Sequence, residues 1–168
     1  MSRTLLVMRH AKSSWDTGVS DHDRPLNARG QRDAPRMGEE LLARGWLPDR
    51  VVVSDAERTL ETVAWLEHAW GRELHAHRSS RLYLAGLGDL VAAIAATPPE
   101  VATLMLVGHN PGCEELVEHL SGVPVRMTTA NVARMVADDR PWDVLAHRPC
   151  ALALDTVLRP RELWGPEA

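Results

Sequence analysis

Cysteine is scarce in this chain of 168 residues: Cys113 and Cys150 are its only two. They stand far apart, without the spacing of a redox or zinc motif, so free thiols are expected and no disulfide framework supports the fold. Long hydrophobic runs are missing as well. No segment approaches the length needed to cross a bilayer, and the N-terminal stretch lacks the apolar core of a secretory signal, which makes a cytoplasmic protein without membrane contact the expectation. Charge of one sign is never concentrated. With 19 basic and 23 acidic residues and a net charge of -4, no block marks nucleic acid or a membrane surface as a partner. Lysine is nearly absent, Lys12 being the only one among the basic residues. There are no repeats and no low-complexity stretches, and the length suits one domain, over residues 1–168, with a substantial core.

Against these absences the apolar pattern is clear. Leu5-Leu6-Val7-Met8 reads as a buried strand cut off by Arg9-His10. The small and hydroxylated residues of Ala11-Lys12-Ser13-Ser14-Trp15-Asp16 then let the backbone turn and offer donors to an anion. Asp21 to Asn27 is a polar loop. Asn27 caps a helix whose apolar face holds Ala34, Met37, Leu41 and Leu42, which Pro35 should bend or restart and Gly45 ends. A second strand, Val51-Val52-Val53, stops at Ser54, and Ser54 with Glu57 forms a capping box that places Arg58 on the first turns of the next helix. Leu60, Val63, Leu66 and Trp70 mark its buried face. Glu73 to His77 is a short strand candidate, and a helix follows from about Asp89 to Thr97.

The run Thr103 to Val107 is the clearest buried strand, and it breaks at Gly108-His109-Asn110-Pro111. Asn110 suits an N-cap and Pro111 a first helical position, so His109 stands where a strand hands over to a helix N-terminus. Strands over Val132 to Ala137 and Ala151 to Val157 close the chain without a clear helix between them. The expected fold is α/β: a three-layer sandwich with a mostly parallel central sheet flanked by helices on both faces.

Ligands of such sheets gather at the carboxyl ends of the strands. There the pattern sets Arg9, His10, Arg58 and His109. Two guanidinium groups match phosphate oxygens bidentately, and two imidazoles can donate hydrogen bonds or attack phosphorus, which points to phosphoryl transfer without a metal or other cofactor. His22 between Asp21 and Asp23 reads as part of a solvated loop rather than a metal site, and the tryptophans, Trp15 among them, read as core or rim packing.

Arg9-His10, the stretch Ser54-Asp55-Ala56-Glu57-Arg58-Thr59-Leu60-Glu61-Thr62, and Gly108-His109-Asn110-Pro111 resemble, in order and spacing, the three signatures of the histidine phosphatase superfamily, which includes the phosphoglycerate mutases. The short chain and the early Asp21-His22-Asp23-Arg24-Pro25-Leu26-Asn27 are most similar to the SixA-type phosphohistidine phosphatase branch, which implies a domain without a cap insertion. The resemblance implies that His10 is the nucleophile and that Arg9, Arg58 and His109 hold the phosphoryl group. Arg24 is similar to an arginine lining the site in that branch, and Ser13 and Asp21 join it as candidate substrate contacts. Ala11 departs from a common glycine, and Asp16 from a common asparagine. Mutase-like members carry a glutamate proton donor after the third strand, whereas Ser79 to Gly88 holds no carboxylate; Asp21 and Asp89 are the nearest substitutes.

A missing strong acid favours a leaving group such as imidazole, which titrates near neutral pH. The expected function is a metal-independent phosphatase with a phosphohistidine intermediate, acting on phosphohistidine in a partner protein. A small-molecule phosphomonoesterase of the same chemistry, acting on a small phosphorylated molecule, and a phosphate- or phosphoprotein-binding module without turnover are the alternatives.

Overall fold

The apolar runs become the interior strands of one sheet. A computed structural model describes residues 1–166 and orders them as β1 (Arg3–Arg9), α1 (Ala28–Ala43), β2 (Arg50–Ser54), α2 (Glu57–Trp70), β3 (His77–Ser79), α3 (Leu87–Ala95), β4 (Thr103–Gly108), α4 (Gly112–Ser121), β5 (Val132–Ala137), α5 (Trp142–His147), β6 (Ala153–Leu158) and α6 (Pro160–Trp164). Short 3₁₀ turns lie at Asp21–Asp23 and Ser80–Leu82. The strand order is β3-β2-β4-β1-β5-β6. The first four of these are mutually parallel, while β5 runs antiparallel to both β1 and β6. The sheet is therefore mixed, with its parallel part carrying the strands that end in Arg9, Ser54 and Gly108.

Unbroken apolar runs are what two-sided burial demands. Successive side chains of a strand point to opposite faces, so Leu5 and Val7 of β1 join Leu104 and Leu106 of β4 in one core. Leu6 and Met8 join Met105 and Val107 in the other. The first core is covered by α3, α4 and α5 through Leu90, Ile94, Leu116, Leu120, Trp142 and Leu145. The second is covered by α1 and α2 through Met37, Leu41, Val63 and Leu66. This is the expected three-layer arrangement.

Several local expectations are corrected. The third strand lies at His77–Ser79, paired with Val52 to Ser54, because His75 has φ +48°, a left-handed conformation that cannot continue an extended strand. The connection between β5 and β6 contains α5, too short to display a helical period. Its Trp142 is buried, with the indole N–H donating to the Val101 carbonyl at 2.8 Å. Helix α1 continues through Pro35, and Leu42 is 44% exposed rather than part of its buried face. Asn27 does cap α1, accepting from the Gly30 amide at 3.0 Å. Gly30 is required there for a different reason: a Cβ would stand 2.1 Å from the Lys12 carbonyl oxygen. The loop after His10 thus packs directly on the first turn of α1.

Candidate active site

Parallel pairing of β1 with β4 puts Arg9 in register with Gly108, so the next residues, His10 and His109, emerge side by side at the carboxyl edge of the sheet. Their ring centroids are 5.3 Å apart. Arg58 arrives from α2, whose first turn follows β2. The residues expected to be catalytic or to contact substrate, Arg9, His10, Ser13, Asp21, Arg24, Arg58 and His109, line one cleft of about 300 Å³.

The two imidazoles are neutral at physiological pH. Burial, reinforced by the charges of His109, Arg58 and Arg9, pushes His10 down to about 3. Burial and then Arg58 push His109 down to about 4. His10 Nδ1 lies 2.7 Å from the Ala11 carbonyl. A carbonyl can only accept, so the ring proton sits on Nδ1 and Nε2 keeps its lone pair.

Two of the cationic groups, Arg58 and Arg24, are held by one carboxylate. Arg58 donates to the Asp21 carbonyl at 2.7 Å and to Asp21 Oδ2 at 3.1 Å. Arg24 donates through Nε to Asp21 Oδ1 at 3.1 Å and through Nη1 to Ser13 Oγ at 2.7 Å. The Tyr83 hydroxyl also donates to Asp21. This tyrosine hydrogen bond, with the Arg58 charge behind it, holds the Asp21 carboxyl down to about 2. The Asp21 carboxylate thus anchors Arg58 and Arg24 and is held in its ionised form. Asp89, the other candidate acid, lines a separate cavity with His77 and Arg81. Asp16 is exposed and does not line the cleft.

Arg9 Nε, Arg58 Nε and His109 Nδ1 are buried without a hydrogen-bond partner among the described residues. Arg50 Nε and Arg134 Nε are unpaired in the same way outside the cleft, so it is not the unpaired nitrogens alone that mark the site but the gathering of the Arg9 and Arg58 guanidinium groups and two imidazoles on one lining. An anion in the cleft is the ligand their chemistry fits.

The sequence profile of the histidine phosphatase superfamily (branch 1) matches residues 5–90, which include Arg9, His10 and Arg58. The chain belongs to the histidine phosphatase superfamily. An uncharacterised chloroplastic protein of Arabidopsis thaliana is 35% identical over 153 residues, covering 85% of this chain and 70% of the relative. An uncharacterised protein of Mycobacterium tuberculosis (strain H37Rv) is 37% identical over 139 residues, covering 83% of this chain and 84% of the relative. Among solved structures, a SixA protein of Nakamurella multipartitia, named for phosphohistidine phosphatase, superposes with a TM-score of 0.78 at 31% identity over 95% of this chain and 97% of that one.

Within this histidine phosphatase several site features were hidden from sequence reasoning. Ser54 does not cap α2, whose N-cap is Ala56; it stands 2.8 Å from His109 Nε2. Thr62 accepts from the Ala11 amide at 3.1 Å and donates to the Arg58 carbonyl at 2.7 Å, tying the loop after His10 to α2. Its position four residues after Arg58, on the same helix face, is the signal that could have found it. Asn110 does not cap α4 but donates to the Met127 carbonyl at 2.7 Å. Trp15, read as core or rim packing, takes the rim: it is 70% exposed at the cleft edge, with the Arg24 guanidinium 3.5 Å from its ring centre, a partner the sequence does not indicate. His22 pairs with Asp55 at 2.9 Å, and Tyr83 sits edge-on to both His22 and His109.

The depressed histidines make stability depend on pH. Above pH 6.5 both rings are neutral in the folded and unfolded chains and contribute no dependence. As the pH falls below 6.5, the unfolded chain binds protons that the folded His10 and His109 refuse until about 3 and about 4. Stability is therefore lost on acidification through this window, at up to about 1.4 kcal/mol per pH unit for each ring. Urea midpoints measured at pH 7.5 and 4.5 should show the fall, and His10→Gln should make it shallower. An equal fall in that variant would remove His10 as a source.

Proposed function

We propose that this protein is a metal-independent phosphatase that removes phosphate from phosphohistidine in a partner protein, and that His10 is its nucleophile. In this reading His10 Nε2 attacks phosphorus, the phosphorus–nitrogen bond of the substrate breaks, and the leaving imidazole takes up a proton from solvent water. Water then attacks the phosphohistidine at His10, releasing inorganic phosphate and restoring the free ring. Arg9, Arg58 and His109 hold the phosphoryl oxygens, and their fixed donors stabilise the charge spread over those oxygens in the transition state. Arg24 and Ser13, hydrogen-bonded to each other, contact the substrate at the cleft edge.

The observation that carries the proposal is the convergence of Arg9, Arg58 and His109 on one cleft whose fourth member, His10, is a neutral imidazole with its Nε2 lone pair intact. The choice of phosphohistidine is supported by the carboxylates. Asp21 is ionised and tied to two arginines, and Asp89 stands elsewhere, so a leaving group that requires little acid assistance suits the cleft. Access supports a macromolecular substrate: past Arg9 and Asn110 the cleft adjoins a groove of about 600 Å³ that also includes Glu114 and Arg126. No helix among the described residues is long and apolar enough to cross a membrane; the partner proposed is a phosphorelay-type protein in the cytoplasm.

Turnover of a phosphohistidine-bearing phosphorelay module, phosphoramidate, an aryl phosphate and glycerol phosphates should be compared side by side. The expected order places the phosphohistidine protein first. A chelator should leave all rates unchanged, because the arginines bring the positive charge a cation would otherwise supply, and vanadate should inhibit. Faster turnover of a small ester would move the protein to a small-molecule phosphomonoesterase. Phosphate binding without turnover of any substrate would make it a binding module. Loss of activity on chelation, restored by a divalent ion, would overturn metal independence.

A further inference from the structure

His109 is one of the groups proposed to hold the phosphoryl oxygens, and as a neutral ring it carries a single N–H. Which nitrogen bears that proton decides whether it can serve. Phosphoryl oxygens only accept hydrogen bonds, so the nitrogen facing them must be protonated. A free neutral histidine side chain favours the proton on Nε2, the nitrogen that here faces Ser54.

Ser54 ends β2, next to β4 in the sheet, and is fully buried at 0% exposure. Its Oγ accepts from the Ala56 amide at 3.2 Å and lies 2.8 Å from His109 Nε2. A hydroxyl has one proton to donate and two lone pairs. If His109 carried its proton on Nε2, Ser54 Oγ would accept twice and its own O–H would have no acceptor among the described residues. Nδ1 would also be left as an unpaired lone pair beside the cleft. If the proton is on Nδ1 instead, the Ser54 O–H donates to Nε2 and the Ala56 N–H donates to Ser54. Only Nδ1–H then remains unpaired, and it is a donor on a residue that lines the cleft. The second arrangement leaves one buried polar group unsatisfied where the first leaves two.

We infer that Ser54 is a positioning residue that fixes His109 as its Nδ1–H tautomer, so that the ring presents a hydrogen-bond donor to an anionic oxygen in the cleft. The tautomer follows from the hydrogen bonds at Ser54 alone; its use on a phosphoryl oxygen rests on the function proposed above. Both imidazoles of the cleft then share one tautomer and use it oppositely. His10 spends its Nδ1–H on the Ala11 carbonyl and offers a lone pair, while His109 has its lone pair occupied by Ser54 and offers its Nδ1–H.

Two-bond ¹H–¹⁵N spectra of the full chain at neutral pH, with His109 assigned from the signals lost in His109→Asn, read the tautomer directly. The expected result is a protonated Nδ1 and an unprotonated Nε2 in the wild-type protein. In Ser54→Ala the proton should move to Nε2, and vanadate affinity should fall about 10- to 100-fold, the loss expected for one hydrogen bond to a charged group. A wild-type His109 protonated on Nε2 would overturn the inference, and this reading does not require Ser54→Ala to fold. A folded Ser54→Ala protein with an unchanged tautomer or unchanged vanadate affinity would overturn the role of Ser54. The expected tautomers together with no vanadate binding by the wild-type protein would leave the Ser54 assignment supported and count against the phosphatase reading instead.

Discussion

A His10→Ala protein mixed with labelled phosphoramidate and quenched within milliseconds is expected to carry no phosphoryl label, while the wild-type protein carries an acid-labile, base-stable one. Turnover in the variant should fall by about 10⁴- to 10⁶-fold, the scale seen when a covalent nucleophile is removed. The argument is local. His10 is 6% exposed, and the Ala11 carbonyl fixes its proton on Nδ1. Burial keeps the ring neutral well below physiological pH, so the nucleophile needs no separate base to deprotonate it. The variant should remain folded, since only a ring that makes a single hydrogen bond to the neighbouring backbone is lost. Turnover at the wild-type rate in a folded His10→Ala protein would remove His10 from the mechanism.

The second large effect concerns the leaving group. With Asp21 held ionised by Tyr83, Arg58 and Arg24, and with Asp89 in another cavity, little acid assistance to a departing alkoxide is expected. Rates should therefore fall steeply as the leaving group becomes more basic. Phosphoramidate and aryl phosphates should outrun alkyl phosphates by about 10²- to 10⁴-fold, the range a general acid ordinarily supplies. Two variants separate anchoring from proton donation. Asp21→Asn should slow every substrate by a similar factor, because Arg58 and Arg24 lose their shared counter-charge whichever group departs. Asp89→Asn should change nothing. Similar chemical rates for alkyl and aryl phosphates would mean that an effective acid exists in the cleft, and a selective loss of alkyl turnover in Asp21→Asn would identify it as Asp21.

What could be read from the sequence was whatever depends on neighbours along the chain. Leu5 to Met8 and Leu104 to Val107 read as buried parallel strands because a strand covered on both faces cannot afford a polar alternation. Arg9-His10 and His109 read as site residues because they interrupt such runs at the edge where α/β sheets bind ligands. The cap at Asn27 was legible for the same reason, since its partner is the Gly30 amide three residues on.

Where the partner is remote, the local rule misled or stayed silent. Ser54 looked like a helix cap because Glu57 follows it; in the fold it belongs to His109, 55 residues away in sequence, because β2 lies beside β4 in the sheet. Asp21 reads as a substrate contact or an acid, and no local pattern shows that Arg58, Tyr83 and Arg24 converge on it from α2, the loop before α3 and its own loop. Trp15 has no helical or strand period to assign it a face, and only the position of Arg24 places it at the rim. The sequence alone determined the fold class and the residues that gather at the cleft, because burial patterns and strand ends are local properties. The tertiary structure decided their protonation and hydrogen-bond partners, because burial and charges from distant segments set which groups titrate and which atom each donor meets.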